Sequence, residues 1–204
     1  MSTQVETFKI ITVGDSTVGK TSIIRRYIFG QFKNDTMSTI GVNFSYKEVS
    51  LDNKSKIKLK LIDTAGQEKY QSLSKSYFKN ADCVLFIFAL NDEKSFHNIT
   101  KWINLFKENY SGKEGIIQYL VGNKQDLGQT IEEEEIEKFS KEVNMKYKAV
   151  SAFSNYNIEE LFLDIAKEAM KNYKPNKKQT TVTLEDQKKK KDNACAKKLC
   201  SGDA

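Results

Sequence analysis

The chain has 204 residues, 33 basic against 27 acidic, and a formal charge of +6. That length suits one domain with a large shared core, and the lack of any 18-residue apolar run excludes a membrane-spanning helix. Three cysteines and a single histidine exclude a disulfide framework and a metal centre built on His and Cys.

The opening segment MSTQVETFKI has no basic stretch followed by an apolar core, so no secretory leader is expected. Ser2 stands where N-myristoylation needs Gly. Phe8–Val13 (FKIITV) is a short apolar, β-rich run, and Thr21–Phe29 (TSIIRRYIF) carries a helical apolar pattern. Between them, Gly14-Asp15-Ser16-Thr17-Val18-Gly19-Lys20-Thr21 fits G-x-x-x-x-G-K-[ST] without a mismatch. Strand, glycine loop and helix in that order form a phosphate-binding loop. Successive backbone N–H groups from Asp15, Ser16, Thr17, Val18 and Gly19, continuing into Lys20, Thr21 and Ser22, converge on one anionic oligophosphate. Lys20 reaches the terminal phosphates, and the Thr21 hydroxyl is a Mg²⁺ ligand. Arg25 and Arg26 are the only arginines. They lie more than a turn from the loop on the following helix and point about 100° apart. The expectation for both is a solvated or salt-bridged helix face, with neither acting as an arginine finger in cis.

Val42–Leu51 and Ile57–Ile62 alternate apolar and polar residues around a polar turn at Asp52, Lys54 and Ser55, which predicts an antiparallel hairpin. Asp63-Thr64-Ala65-Gly66-Gln67 follows the second strand. An Asp at a strand end near a phosphate loop can hold Mg²⁺ directly or through water. Gly66 would let its N–H approach the γ-phosphate, and Gln67 would orient the attacking water. Taken alone, an ordinary glycine turn after a strand explains these residues equally well. Cys83–Leu90 is an apolar strand, with Cys83 a small core hydrophobe. Glu93–Tyr110 is helical. Its His97 has no partner ligand, and the stripe at Trp102, Leu105 and Phe106 reads as core packing.

Ile116–Val121 is a further strand, and Asn123-Lys124-Gln125-Asp126 follows it. A carboxylate accepts two hydrogen bonds from the N1 and N2 edge of guanine, a pattern adenine lacks, so Asp126 would set the base choice. Asn123 would tie neighbouring loops together, and the stem of Lys124 would lie along the base. Ile131–Asn144 is helical, with the acidic run Glu132–Glu135 at its N-terminus, where the helix dipole favours it. Lys146–Val150 is the last strand, followed by Ser151-Ala152, and Tyr156–Tyr173 is the last helix. The alternation predicts an α/β fold: a six-stranded mixed, mostly parallel sheet with helices on both faces and ligands at the strands' carboxyl ends.

Residues 1–170 balance 23 basic side chains against 23 acidic ones, so the charge surplus lies beyond them. Lysines 188–191 and 197–198 flank Cys195 and Cys200 in a segment poor in apolar residues, whose composition is that of a disordered tail. Each Lys near an anionic leaflet contributes ~1 kcal/mol, too little to anchor without a lipid. With no aromatic residue among these lysines, nucleic acid is not an expected partner.

Four motifs in this order resemble the Ras superfamily of small GTPases, and the segments between them resemble its Rab branch. Ser38-Thr39-Ile40-Gly41-Val42-Asn43-Phe44 is similar to the Rab first switch and the strand after it. Lys60-Leu61-Ile62-Asp63-Thr64-Ala65-Gly66-Gln67-Glu68 resembles the Rab block KLQIWDTAGQE. Tyr70-Gln71-Ser72-Leu73 and Ser76-Tyr77-Phe78-Lys79-Asn80-Ala81 resemble YRSI and YYRGA. The likeness covers about residues 5–173. It implies a P-loop NTPase G domain over 1–173 and a Lys-rich tail over 174–204.

The resemblance implies a GTP/GDP switch that hydrolyses GTP with Mg²⁺ and regulates vesicle trafficking by recruiting effectors in the GTP state. It makes Lys20, Thr39 and Gln67 catalytic, with Thr21, Thr39 and Asp63 around the metal. Phe32 would meet the guanine edge-on, the Ala152 N–H would contact the base oxygen, and Ser151 and Phe153 would complete that loop. Implied partners are an exchange factor, a GTPase-activating protein, a GDP-dissociation inhibitor or escort protein, and effectors, with a monomer in the cytoplasm cycling to the cytosolic face of an intracellular membrane.

The chain also departs from the family. Ile62 replaces the usual Trp in an effector-reading trio that would here be Phe44, Ile62 and Tyr77. Thr17 stands where many relatives have Gly, and Phe153 replaces the usual Lys. Rab chains usually end in two closely spaced cysteines, whereas Cys200 here is fifth from the end. Geranylgeranylation of Cys200, with Cys195 as a second site, is expected, and an unmodified tail is the alternative. Two other functional classes stand beside the membrane switch: a soluble or nucleotide-locked G protein acting as a binding module, and an ATP-using P-loop enzyme, against which Asp126 argues.

Overall fold

The computed structural model describes residues 7–33, 42–51, 55–64, 76–112 and 114–172. Thr39, Gly66, Gln67, Cys195 and Cys200 lie outside the described residues, as do most of the turn between the second and third strands and the Lys-rich tail.

The first strand, β1 (Thr7–Val13), sits inside the sheet, flanked in parallel by β3 (Lys56–Thr64) and β4 (Cys83–Ala89). With β2 (Val42–Ser50), β5 (Ile117–Asn123) and β6 (Lys146–Ala149), the order is β2-β3-β1-β4-β5-β6. Among the six strands described, only β2 and β3 pair antiparallel, with Phe44 opposite Ile62 and Val49 opposite Ile57. The mixed, mostly parallel sheet expected from the alternation is therefore observed. All seven side chains of β4 are buried, as a parallel strand covered on both faces requires.

Helices cover both faces. On one, α1 (Lys20–Phe29) places Ile23, Ile24 and Tyr27 against Leu161, Phe162 and Ile165 of the C-terminal helix (Ile158–Asn172), and the rings of Tyr27 and Phe162 stack at 3.9 Å. On the other, Ile99, Trp102, Ile103 and Phe106 recur at helical spacing and bury one stripe beside Val84, Phe86 and Phe88. No helix among the described residues is long and apolar enough to cross a membrane.

The helix expected over Glu93–Tyr110 is two: α2 (Glu93–His97) and α3 (Ile99–Asn109), meeting at Asn98. Asp92 caps the first by accepting a hydrogen bond from the Ser95 N–H, and Asn98 turns its side chain towards the loop after β1. Two further helices are α4 (Glu133–Glu142) and α5 (Ile158–Asn172), each starting two residues later than the sequence pattern suggested. As the acidic run implied, Glu133, Glu134 and Glu135 occupy the first turn of α4, after Glu132, which makes no side-chain cap bond. His97 is exposed and faces Glu93 at 3.3 Å.

Candidate functional site

The carboxyl ends of β1, β3 and β5 and the loop after β6 face the same edge of the sheet, and the motif residues leave the strands there. The turn after β1 works because two positions lack side chains. A Cβ on Gly14 (φ +147°) would lie 2.1 Å from the Ile87 carbonyl oxygen on β4. One on Gly19 (φ +96°) would lie 2.2 Å from the Asn123 amide nitrogen. Both conformations belong to glycine. Thr17 is exposed and also left-handed, at φ 65°, a costly state for a β-branched residue.

Lys20 opens α1 and is buried to 5% exposure. Its Nζ donates to the carbonyl oxygens of Gly14 at 3.0 Å and Asp15 at 2.6 Å. Burial lowers its pKa to about 8, opposed by the charges of Asp63 and Asp15. A buried ammonium held against the loop backbone at a helix N-terminus suits an anion. Its neighbour Thr21 donates through Oγ1 to Asp63 Oδ2 at 2.8 Å. Asp63 is 3% exposed, and its Oδ1 has no hydrogen-bond partner among the described residues. Desolvation raises its pKa, while the Thr21 bond and the charges of Lys20 and Arg25 pull the other way. A hydroxyl and a carboxylate with a bare buried oxygen, side by side, fit Mg²⁺, which takes few protein oxygens and fills its octahedron with phosphate and water. Among the described residues no group of three or more His, Cys, Asp or Glu offers a denser metal site.

Asn123 ends β5, 2% exposed. Its Nδ2 donates to the Val18 carbonyl at 2.8 Å, and its Oδ1 accepts from the Ala152 N–H at 3.2 Å. It thus joins the phosphate loop to the loop after β6. Lys124 adopts φ 66° and leads into a 3₁₀ turn over Gln125–Leu127. Asp126 is exposed, and its Oδ1 accepts from Ser151 Oγ at 2.5 Å, so that loop holds the carboxylate in place. Phe32 is half-buried, its ring 5.3 Å from that of Phe153 and edge-on to it at 87°. The phosphate end and the base end are therefore one connected site.

Of the surface trio, Phe44 is 45% exposed and its ring lies 5.5 Å from that of Tyr77. Ile62 is fully buried with Ile11, Phe78 and Val84. An aliphatic side chain there sinks into the core, so Ile62 is corrected from a surface anchor to the floor beneath Phe44 and Tyr77. Lys60 lies over the Phe44 ring at 4.9 Å.

Three further residues join the site. Asn98 Nδ2 and Trp102 Nε1 each donate to the Asp15 carboxylate at 2.7 Å, tying the phosphate loop to α3. Trp102 is core packing, as its stripe suggested, but its indole N–H needed an acceptor, and that requirement was the available clue. Arg26, expected on a solvated face, spans to the loop after β6: Nε donates to the Ala152 carbonyl at 2.7 Å and Nη2 to that of Phe153 at 2.7 Å. No local pattern announces such a contact across 126 residues.

Comparison with known proteins agrees with this geometry. The Ras family model matches residues 9–171. The chain is similar to Ras-related protein Rab-13 of Bos taurus, 35% identical over 196 residues, which are 93% of this chain and 95% of that protein. It is 43% identical to Ras-related protein Rab-11B of Dictyostelium discoideum over 156 residues, 76% of this chain and 70% of the relative. With Ras-related protein Rab-30 of Homo sapiens it shares 38% identity over 161 residues, 78% of each.

Proposed function

The chain belongs to the Ras family as a Rab-type small GTPase, and from that premise we propose that it is a Mg²⁺-dependent GTP/GDP switch regulating vesicle traffic. The observation that carries this reading is the single connected site, with Lys20, Thr21 and Asp63 at one end and Asn123, Asp126 and Ala152 at the other. Lys20 binds the terminal phosphates through its Nζ. The loop N–H groups orient the triphosphate, and Asp126 selects guanine by accepting from its N1 and N2 edge.

Thr21 and Thr39, with Asp63 behind them, would hold Mg²⁺, which would supply charge neutralisation at the phosphate oxygens. Gln67 orients the attacking water, and the backbone N–H groups of Gly66 and Thr39 sense the γ-phosphate. When that group leaves, both segments lose their contacts and relax. Phe44 and Tyr77 form the effector face over the floor at Ile62. Prenylated Cys200, with Cys195, anchors the chain to the cytosolic face of an intracellular membrane, and the lysines beside them reinforce the contact.

The reaction is slow in isolation. Arg26 spends its guanidinium on backbone carbonyls, so an activating partner is needed to supply a finger, worth ~10³–10⁵ in rate. Thr17 favours a second reading, a nucleotide-locked binding module, because its left-handed, β-branched backbone lies in the loop that cradles the phosphates. Single-turnover hydrolysis of bound GTP by wild type and Gln67→Leu separates the two. Measurable turnover that the substitution abolishes supports the switch; identical traces refute it.

A further inference from the structure

We infer that Arg26 is a positioning residue for the guanine pocket and controls how long the nucleotide stays bound. This rests on the GTPase reading above and concerns the base end of the same site.

Arg26 sits in the last turn of α1, and its planar guanidinium divides three nitrogens among three carbonyls. Nε donates to Ala152 and Nη2 to Phe153, both at 2.7 Å, while Nη1 donates to Gly30 at 2.8 Å. The first two acceptors flank the peptide that presents the base loop. The third lies two residues before Phe32, whose ring meets Phe153 edge-on. One side chain therefore sets the spacing between the two walls of the pocket.

Its partners extend the connection. The Ala152 N–H donates to Asn123, which donates in turn to the Val18 carbonyl in the phosphate loop. The base loop is held from one side by Asn123 and from the other by Arg26. Ser151 and Ala152 are buried, but Phe153 is 61% exposed, so packing fixes the start of that loop and the hydrogen bonds to its backbone hold the part beyond it. A charged fork is suited to this: its five N–H donors have fixed directions, and bonds from a charged donor are about twice as strong as neutral ones. A lysine has a single donor atom and lacks the planar fork that meets all three carbonyls from fixed directions.

A purely structural role, capping the C-terminal carbonyls of α1, would need only the Gly30 contact. The two contacts to the base loop are surplus to it. They predict that loss of Arg26 loosens the base end while leaving the phosphate end, at the opposite end of α1, intact.

The test loads full-length wild type, R26A, R26K and, as a remote charge-removal control, K141A with a fluorescent GDP analogue. Release is followed after adding excess unlabelled GDP, and single-turnover hydrolysis is measured on preloaded GTP. R26A should release the analogue about 10- to 100-fold faster, R26K should fall between, and K141A should match wild type. Hydrolysis of GTP still bound should stay within about twofold for R26A, because the groups around the γ-phosphate are unchanged.

Wild type failing to hold the analogue would overturn the guanine-nucleotide assignment, a result distinct from failure of this inference. With wild-type binding intact, equal release from R26A and wild type would overturn the role of Arg26. So would hydrolysis and thermal melting falling together with retention, the signature of general destabilisation. If R26A does not fold, R26K decides: release at the wild-type rate overturns the fork.

Discussion

Asn123→Ala separates the two halves of the site by removing one amide. The side chain is 2% exposed and makes two bonds, donating to the Val18 carbonyl at 2.8 Å and accepting from the Ala152 N–H at 3.2 Å. Truncation strands a buried acceptor on the phosphate loop and a buried donor on the base loop. Each stranded group costs about 1–3 kcal/mol, and the longer bond belongs at the low end. The sum is roughly 2–5 kcal/mol, lowered if water enters the vacated space. Urea unfolding of the nucleotide-free protein, followed by circular dichroism, measures it: the midpoint should fall with an unchanged slope. Asn123→Asp keeps the acceptor for Ala152 but sets a buried carboxylate oxygen against the Val18 carbonyl, so it should lose at least as much stability as the alanine variant. A loss below about 0.5 kcal/mol for the alanine variant would refute the role of these bonds as the tie between the loops.

Three other outcomes follow from the geometry. In the nucleotide-free protein, Lys20 is charged below its lowered pKa of about 8 at a desolvation cost, roughly 3 kcal/mol. The unfolded chain holds that proton up to the usual lysine range, so the penalty is full below pH 8 and disappears as pH rises towards 10.5. Lys20→Met should therefore be more stable than wild type at pH 7, with a gap that narrows by pH 9.5; a constant gap in urea unfolding would contradict the cause given. Gly14→Ala drives a Cβ to 2.1 Å from the Ile87 carbonyl, between two hydrogen-bonded strands. Since backbone there cannot yield, the loss should exceed about 3 kcal/mol, and a melting temperature within a few degrees of wild type would refute it. Cys83 is fully buried and its thiol pKa is raised, by desolvation first and then by Glu168 and Asp82. Iodoacetamide should leave it unmodified in the native protein and label it after denaturation, as peptide mass spectrometry would show.

Sequence carried the sheet because each strand holds its own evidence. The apolar run of β4 and the alternation in β3 are local patterns that burial on two faces or one face creates. The phosphate loop was legible because its residue types and spacing form one continuous local pattern, although the atoms that wall its glycines, the Ile87 carbonyl and the Asn123 amide, lie far along the chain. What was missed depends on partners far along the chain. The break at Asn98 follows from a side chain reaching Asp15, 83 positions away, and Arg26 was misread because its acceptors lie 126 and 127 positions on. Ile62 shows a third kind of miss. It pairs opposite Phe44 in the hairpin, but strand alternation alone does not say whether a neighbouring segment such as Phe78 covers that face.

The position of β1 also bears on how the chain is made. It leaves the ribosome before both its neighbours, β3 and β4, which begin only at Lys56 and Cys83. Ile10 and Ile11, wholly buried in the finished molecule, emerge long before anything exists to bury them. Such a segment is a target for chaperones during synthesis. The Ile87 carbonyl that walls Gly14 comes later still, and Ala152 and Phe153 come last. The phosphate loop therefore lacks the contacts that shape it until those segments have been made. Nucleotide binding to the assembled site can follow only once Ala152 has been made, and it then draws the chain towards the folded state by mass action.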